Sequence, residues 1–335
     1  MPLPLIPLLL GGAALITAGF GVKKGFDAKE DFDQAERVTT RAQDLYDESQ
    51  RQLTGARDRA QAQLIALGTT KRYLYEKSLS RFVEVFRKIK NIDVEKDDVS
   101  SKLVIDQKEF AEIREITLKM TDILESTAAS LTGGVMAGLG AFGAAGLFGT
   151  ASTTTAISTL SGAAATNATL AWFGGGALAA GGLGMAGGMA VLGGIVAAPV
   201  LLVGGFMMAA KADAAVSDAY SNLAKAEGAA EVMKAACSAA RAIQRRAQEM
   251  QNVLILLDQS FMEQTENLAN LVIKNEDYSK YSSDERKLVG ICLSFAKTVK
   301  QTMEVPIFDD DGVVTKASKD MLVSAKVFLQ KLSEM

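Results

Sequence analysis

At 335 residues, with 48% hydrophobic but only 6% aromatic side chains and a net charge of −3, the chain is long enough for a large core made of small and aliphatic residues. It has no histidine, which removes the commonest general base and metal ligand and, with them, zinc chemistry and Ser-His or Cys-His catalysis. No basic footprint for nucleic acid is present, and two cysteines cannot form a dense disulfide framework.

Residues 1–24 open the chain with an apolar segment that carries no charged side chain before Lys23 and Lys24. About 20 apolar residues can cross a hydrocarbon core, and charge placed after the run orients a span with its start outside and the rest of the chain cytoplasmic, as in a bacterial inner membrane. A buried helix or interfacial anchor is the alternative, because Pro2, Pro4 and Pro7 disturb the first turns. Residues 25–125 form a polar helical arm. Its first helix, from about Phe26 to Leu67, carries small or apolar residues at Ala35, Val38, Ala42, Leu45, Ser49, Leu53, Ala56, Ala60, Leu64 and Leu67, steps of three and four that define one seam.

Gly68, with Thr69 and Thr70, predicts a break. Beyond it, Lys71, Arg72, Arg87, Lys88 and Lys90 are interleaved with aromatic and aliphatic residues, the pattern of a helix that lies on an anionic membrane surface or packs on a neighbour with its charges in water. Residues 91–104 read as a connector. A helix from about Asp106 to Ala129 follows, with Phe110, Ile113, Ile116 and Met120 on one side.

From Ser126 to Ala210 there is no Asp, Glu, Lys, Arg or His, and most of the chain's 30 glycines lie there. Gly134 and Gly138 stand in the GxxxG relation that lets helices approach closely in lipid. A polar interlude contains Ser152, Thr153, Thr154, Thr155, Ser158, Ser161 and Thr166, candidates for a polar path. The second apolar part adds Gly184, Gly188, Gly193 and Gly194 as packing positions and Pro199 as a kink. Two GxGxxG matches, at Gly138 and at Gly182, lack the following acidic residue and the strand context of a dinucleotide site, and no GxxxxGK[ST] loop occurs. No cofactor is expected.

Residues 211–275 predict a long alanine-rich helix. In heptad register, Val216, Leu223, Ala230 and Cys237 take one seam position and Ala219, Ala226, Met233, Ala240, Ala247, Leu254 and Phe261 the other, with Gln244 and Gln251 interrupting the first. Small seam residues suit an antiparallel partner such as the helix of residues 26–67. Residues 276–335 read as a small module: a helix capped by Ser283, a short hairpin around Asp309–Gly312 with an ordinary acidic turn, and a helix from Ser318 onward.

The stretch NATLAWFGGGALAAGGLGMAGGMAVLGGIVAAPVLLVGGF, residues 167–206, with the preceding GTASTTTAISTLSGAAA, resembles a segment of bacterial proteins described as glycine-zipper or hypothetical membrane proteins. In layout the chain is similar to colicin-type and apolipoprotein-L-type proteins, and that resemblance implies membrane permeabilisation or a channel. The expected fold is all-α: a long antiparallel, coiled-coil-like stalk flanking a Gly/Ala-rich transmembrane or buried hairpin, with a small C-terminal module. The expected function is non-enzymatic and membrane-active, with lipid and further copies of the chain as partners and no nucleic acid. A membrane-anchored scaffold that recruits a protein through its stalk or C-terminal module, and a soluble bundle that stores the apolar run, are the alternatives.

Overall fold

The computed structural model describes residues 22–92, 107–126, 133–143, 215–309 and 312–333. Helix α1 spans Val22–Tyr73, passes through a π-helical stretch at Leu74–Leu79 and continues as α2, Ser80–Phe86. Helices α3 (Gln107–Ser126) and α4 (Gly133–Phe142) follow, then α5 (Ala215–Lys274), a 3-10 turn at Tyr278–Lys280, α6 (Ser283–Glu304) and α7 (Lys316–Ser333). The fold is all-α, and no strand occurs among the described residues.

The chain divides into two compact units, Met1–Gln50 with Pro199–Val232, and Arg51–Ala198 with Met233–Met335. In the first, the early parts of α1 and α5 share a small cluster of Ala42, Leu223 and Ala226 with Val38 against it. The Gln34 amide donates to the Tyr220 hydroxyl at 3.0 Å. Residue numbers rise together along both helices, so the pair is parallel.

The second unit has the same polarity. Gln63 donates to Gln251 at 2.7 Å, Ser78 to Asp258 at 2.5 Å, Arg81 reaches Glu266 at 2.9 Å and Lys90 reaches Glu276 at 2.7 Å, again in ascending order on both sides. The expectation of an antiparallel stalk is therefore corrected. A repeat of small residues fixes which face is buried, but the direction of the partner is set by which polar groups meet across the seam, and that information is absent from either helix alone. The seams themselves hold: Ala219, Ala226, Met233, Ala240, Ala247, Leu254 and Phe261 are all buried, as is Cys237.

Helix α3 runs antiparallel to α2. Phe110 lies against Phe86, with ring centroids 4.2 Å apart, while Thr121 sits 3.2 Å from Ser80 further back along the chain. Helix α6 lies along α3 in the same direction, joined by Lys297 to Glu109 at 2.8 Å and Lys300 to Glu112 at 3.2 Å. The core of the unit is a chain of rings, Phe86, Phe82, Phe261, Phe295 and Phe328, with neighbouring centroids 5.0–6.1 Å apart. Such spacing adds about 0.5–1.5 kcal/mol per pair beyond the burial of the rings.

Two local readings shift. Ser282, not Ser283, caps α6, in a capping box in which its hydroxyl accepts from the Glu285 amide and the Glu285 carboxylate accepts from the Ser282 amide. The hairpin expected over 305–315 is reduced to one bridge, Phe308 with Val314: the Asp309 amide donates to the Val313 carbonyl at 3.0 Å and Gly312 takes a φ of 74°, but no strand forms among the described residues.

Candidate functional site

Helix α4, GGVMAGLGAF, is the described part of the uncharged run, and it lies inside the second unit. Met136 through Ala141 are buried. Its ten residues span about 15 Å, half of a hydrocarbon core of about 30 Å. No helix among the described residues is long and apolar enough to cross a membrane.

Glycine brings α4 onto α1 at backbone distance. A methyl group added at Gly68 would lie 1.9 Å from the Met136 carbonyl oxygen, and one added at Gly140 would lie 2.0 Å from the Leu64 carbonyl oxygen. The obstacle in both cases is main chain, which cannot rotate away. Gly68 therefore does not break α1, as its sequence context suggested, but lets a second backbone in where the helix continues. The pairing runs 68 with 136 and 64 with 140, so α4 lies antiparallel to α1. The GxxxG pair expected to pack, Gly134 and Gly138, lies on α4, with Gly138 buried, but the reciprocal close approach is made by Gly140 and Gly68.

The last turn of a helix leaves carbonyls without helical partners. In α4 three successive ones are satisfied from three directions. Leu139 accepts from the Gly143 amide at 2.9 Å, Gly140 from the Lys71 ammonium at 2.8 Å, and Ala141 from the Ile307 amide at 2.8 Å. Gly143 ends the helix with a φ of 63°, and its missing side chain leaves room for the Met303 carbonyl, which a Cβ would meet at 2.4 Å. Phe142 and Phe308 close the seat edge to face, with centroids 4.9 Å apart.

Lys71 is fully buried. It is thus corrected from a membrane-surface residue to a core one. Its reason lies in the seam itself: the steps of three and four that pass through Leu64 and Leu67 continue to Lys71, Leu74 and Ser78, all buried. Burial pushes its ammonium down to about 7, opposed by the charge of Glu304. The Glu304 carboxyl is pushed up by burial; Lys300 and Lys71 pull against that shift, and Glu112 adds to it. Burial first, and Glu304 second, raise the Tyr75 phenol above its ordinary range, and its hydroxyl has no hydrogen-bond partner among the described residues.

Both Tyr75 and Ser78 belong to the π-helical stretch, where the Ser80 hydroxyl donates to the Tyr75 carbonyl five residues back, at 2.8 Å. Burial also raises Asp258, against the bond from Ser78, and pushes the Cys292 thiol up to about 12.

The other basic residues of the arm stay outside the core. Arg72 pairs with Glu76 at 2.7 Å, Lys88 with Glu84 at 3.3 Å and Lys90 with Glu276 at 2.7 Å, while Arg87 is exposed. Lys23 and Lys24 fall in the first turns of α1. The predicted packing positions Gly184, Gly188, Gly193, Gly194 and Pro199, and the polar-path residues Ser152, Thr153, Thr154, Thr155, Ser158, Ser161 and Thr166, lie outside the described residues. Among the described residues no cluster of acidic or sulfur ligands could hold a metal.

No family model, curated protein or solved structure matches this chain. The seat must therefore be understood from its own chemistry. Gly68, Tyr75, Glu304 and Ile307 were not singled out for it by sequence reasoning. Lys71 carried a legible signal, because a lysine on an apolar seam either disturbs the helix pair or is put to use.

Proposed function

We propose that this is a membrane-active protein that inserts its glycine-rich uncharged run into a lipid bilayer, with the charged helices as carrier. One observation carries the reading: the run from Ser126 to Ala210 contains no ionisable side chain, while the helices on either side are rich in charge. So much apolar surface is costly to keep in water, and in lipid its backbone groups are satisfied if it forms helices. In this reading several copies assemble through Gly184, Gly188, Gly193 and Gly194, and Ser152–Thr155, Ser158, Ser161 and Thr166 line a polar path. The setting is an effector that permeabilises a membrane, with Arg87, Lys88 and Lys90 meeting anionic headgroups.

The test is release of a trapped dye from vesicles containing anionic lipid, with alkaline extraction of the bound protein. Dye release and resistance to extraction support insertion. Protein that binds vesicles, leaks nothing and washes off at high pH overturns it.

A second reading is favoured by the burial of α4 among polar-faced helices: a water-soluble form that stores the start of the run. Fractionation without detergent separates the two, because a stored form stays in the supernatant until lipid is added.

A further inference from the structure

We propose that the seat of α4 is an autoinhibitory clasp: Gly68, Lys71 and the backbone of Ile307 hold the leading end of the uncharged run inside the helical unit, and α4 must leave before the run can insert. The inference rests on the membrane-active reading above. Its carrying observation is the way α4 is held.

Helix α4 brings no charged or hydrogen-bonding side chain of its own to the contact. Among the described residues the carbonyls of Gly140 and Ala141 bind outside the segment, to Lys71 and to the Ile307 amide. Backbone interlock at Gly68 and Gly140 supplies the fit. Emptying the seat parts the Phe142–Phe308 ring pair and the contacts of Met136, Ala137, Leu139 and Ala141 with the core, but leaves the ring chain from Phe86 to Phe328, which does not pass through α4. Emptying it also returns a buried ammonium to water, which offsets part of the lost contact.

Lys71 makes the clasp sensitive to pH in a direction that can be worked out. The groups facing it are Glu304 from α6 and Tyr75 from the adjoining π stretch, with Lys300 and Glu112 around Glu304; α4 contributes no titratable group. When α4 is seated, burial holds Lys71 down to about 7; when α4 has left, water reaches the ammonium and its value rises toward the ordinary 10.5. Between those values the open state binds more protons, so raising the pH favours the closed state, by up to about tenfold per unit. Below pH 7 Lys71 is charged in both states and its contribution is constant. Near neutrality the clasp is thus close to its weakest.

The experiment uses the full chain and reads amide hydrogen-exchange protection of residues 133–143 by mass spectrometry, without lipid, at pH 7, 8 and 9. Wild-type protection should rise with pH, and Lys71→Met, which keeps the volume and loses the titration, should flatten that rise. Equal profiles for the two proteins overturn the role of Lys71. Gly140→Ala places a methyl against the Leu64 carbonyl and should lower protection of 133–143 at least 100-fold while the α6 amides keep theirs. Unchanged protection overturns the seat, and loss of protection throughout the second unit overturns a releasable clasp, since α4 would then be an inseparable part of the core.

Dye release from anionic vesicles by the same proteins separates the inhibitory role from the membrane reading. Faster release by Gly140→Ala than by wild type supports autoinhibition. Equal release with α4 unprotected overturns it. No release by either protein overturns the membrane reading and the inhibitory role with it, while exchange still reports the contact.

Discussion

The same two helices, α1 and α5, run through both units, yet they are held by different means in each. In the first unit the described contacts include a cluster of alanine, leucine and valine and an exposed hydrogen bond from Gln34 to Tyr220. In the second, α3, α4, α6 and α7 pack around them with phenylalanine rings, Lys71 of α1 is buried, and α1 and α4 make two backbone interlocks. A small-residue seam brings helices close but buries little apolar area per residue, so its stability depends on what else is packed around it. The lesson is that the seam is uniform along α1 and α5 whereas the stabilisation is not, and substitutions should separate the two.

The largest effect is expected in the ring chain. Phe261→Ala removes a fully buried ring that touches both Phe82 and Phe295, and should cost about 3–5 kcal/mol, measured by denaturant unfolding. Next is Gly68→Ala. Its methyl would lie 1.9 Å from the Met136 carbonyl, so the cost should reach about 3 kcal/mol or appear as loss of α4 protection with the ring chain intact. A loss below about 0.5 kcal/mol with α4 still protected would show that the interlock is not as close as described.

The pH profile of unfolding comes third. Lys71 is held down to about 7 from 10.5, so the folded chain has released a proton that the unfolded chain still holds, and stability should rise from pH 7 to pH 9 by at most about 1.4 kcal/mol per unit. Above pH 9 the buried Cys292 thiol, pushed up from 9.0 to about 12, acts in the opposite sense, because the unfolded chain loses that proton first. A dome with a broad top between the ordinary thiol value of 9.0 and the ordinary lysine value of 10.5 is the signature, and Lys71→Met should remove its acidic side.

In the first unit, Ala226→Gly should cost about 1 kcal/mol through helix propensity and the lost methyl, less than any of the changes above. A loss as large as that of Phe261→Ala would show that this unit has a core of its own comparable to the second. The smallest effect is Arg81→Ala. Its pairs with Glu84 and Glu266 are solvent-exposed and screened, so about 0.2–1 kcal/mol is expected, falling further in high salt.

Legibility followed the same division. The seam along α1 and α5, the all-α class and the capping position of α6 within one residue were readable, because each depends on residues near one another in sequence. The candidate site was only partly so. Gly68 reads as a helix break by its type, and only the backbone of a helix some 70 residues away shows that it is a point of entry. Lys71 reads as one of several basic residues on a polar helix; its place on the apolar seam was visible, but its acceptor, the Gly140 carbonyl, was not.

By itself the sequence determined the charge-free run, the helical periodicities around it and the absence of histidine chemistry, since composition and spacing carry these directly. The tertiary structure alone decided the parallel polarity of α1 and α5, the burial of Lys71 and the seating of α4. The physical reason is common to all three. Periodicity specifies which face is apolar, whereas direction, partner and protonation depend on which groups from distant segments come within hydrogen-bond or van der Waals reach.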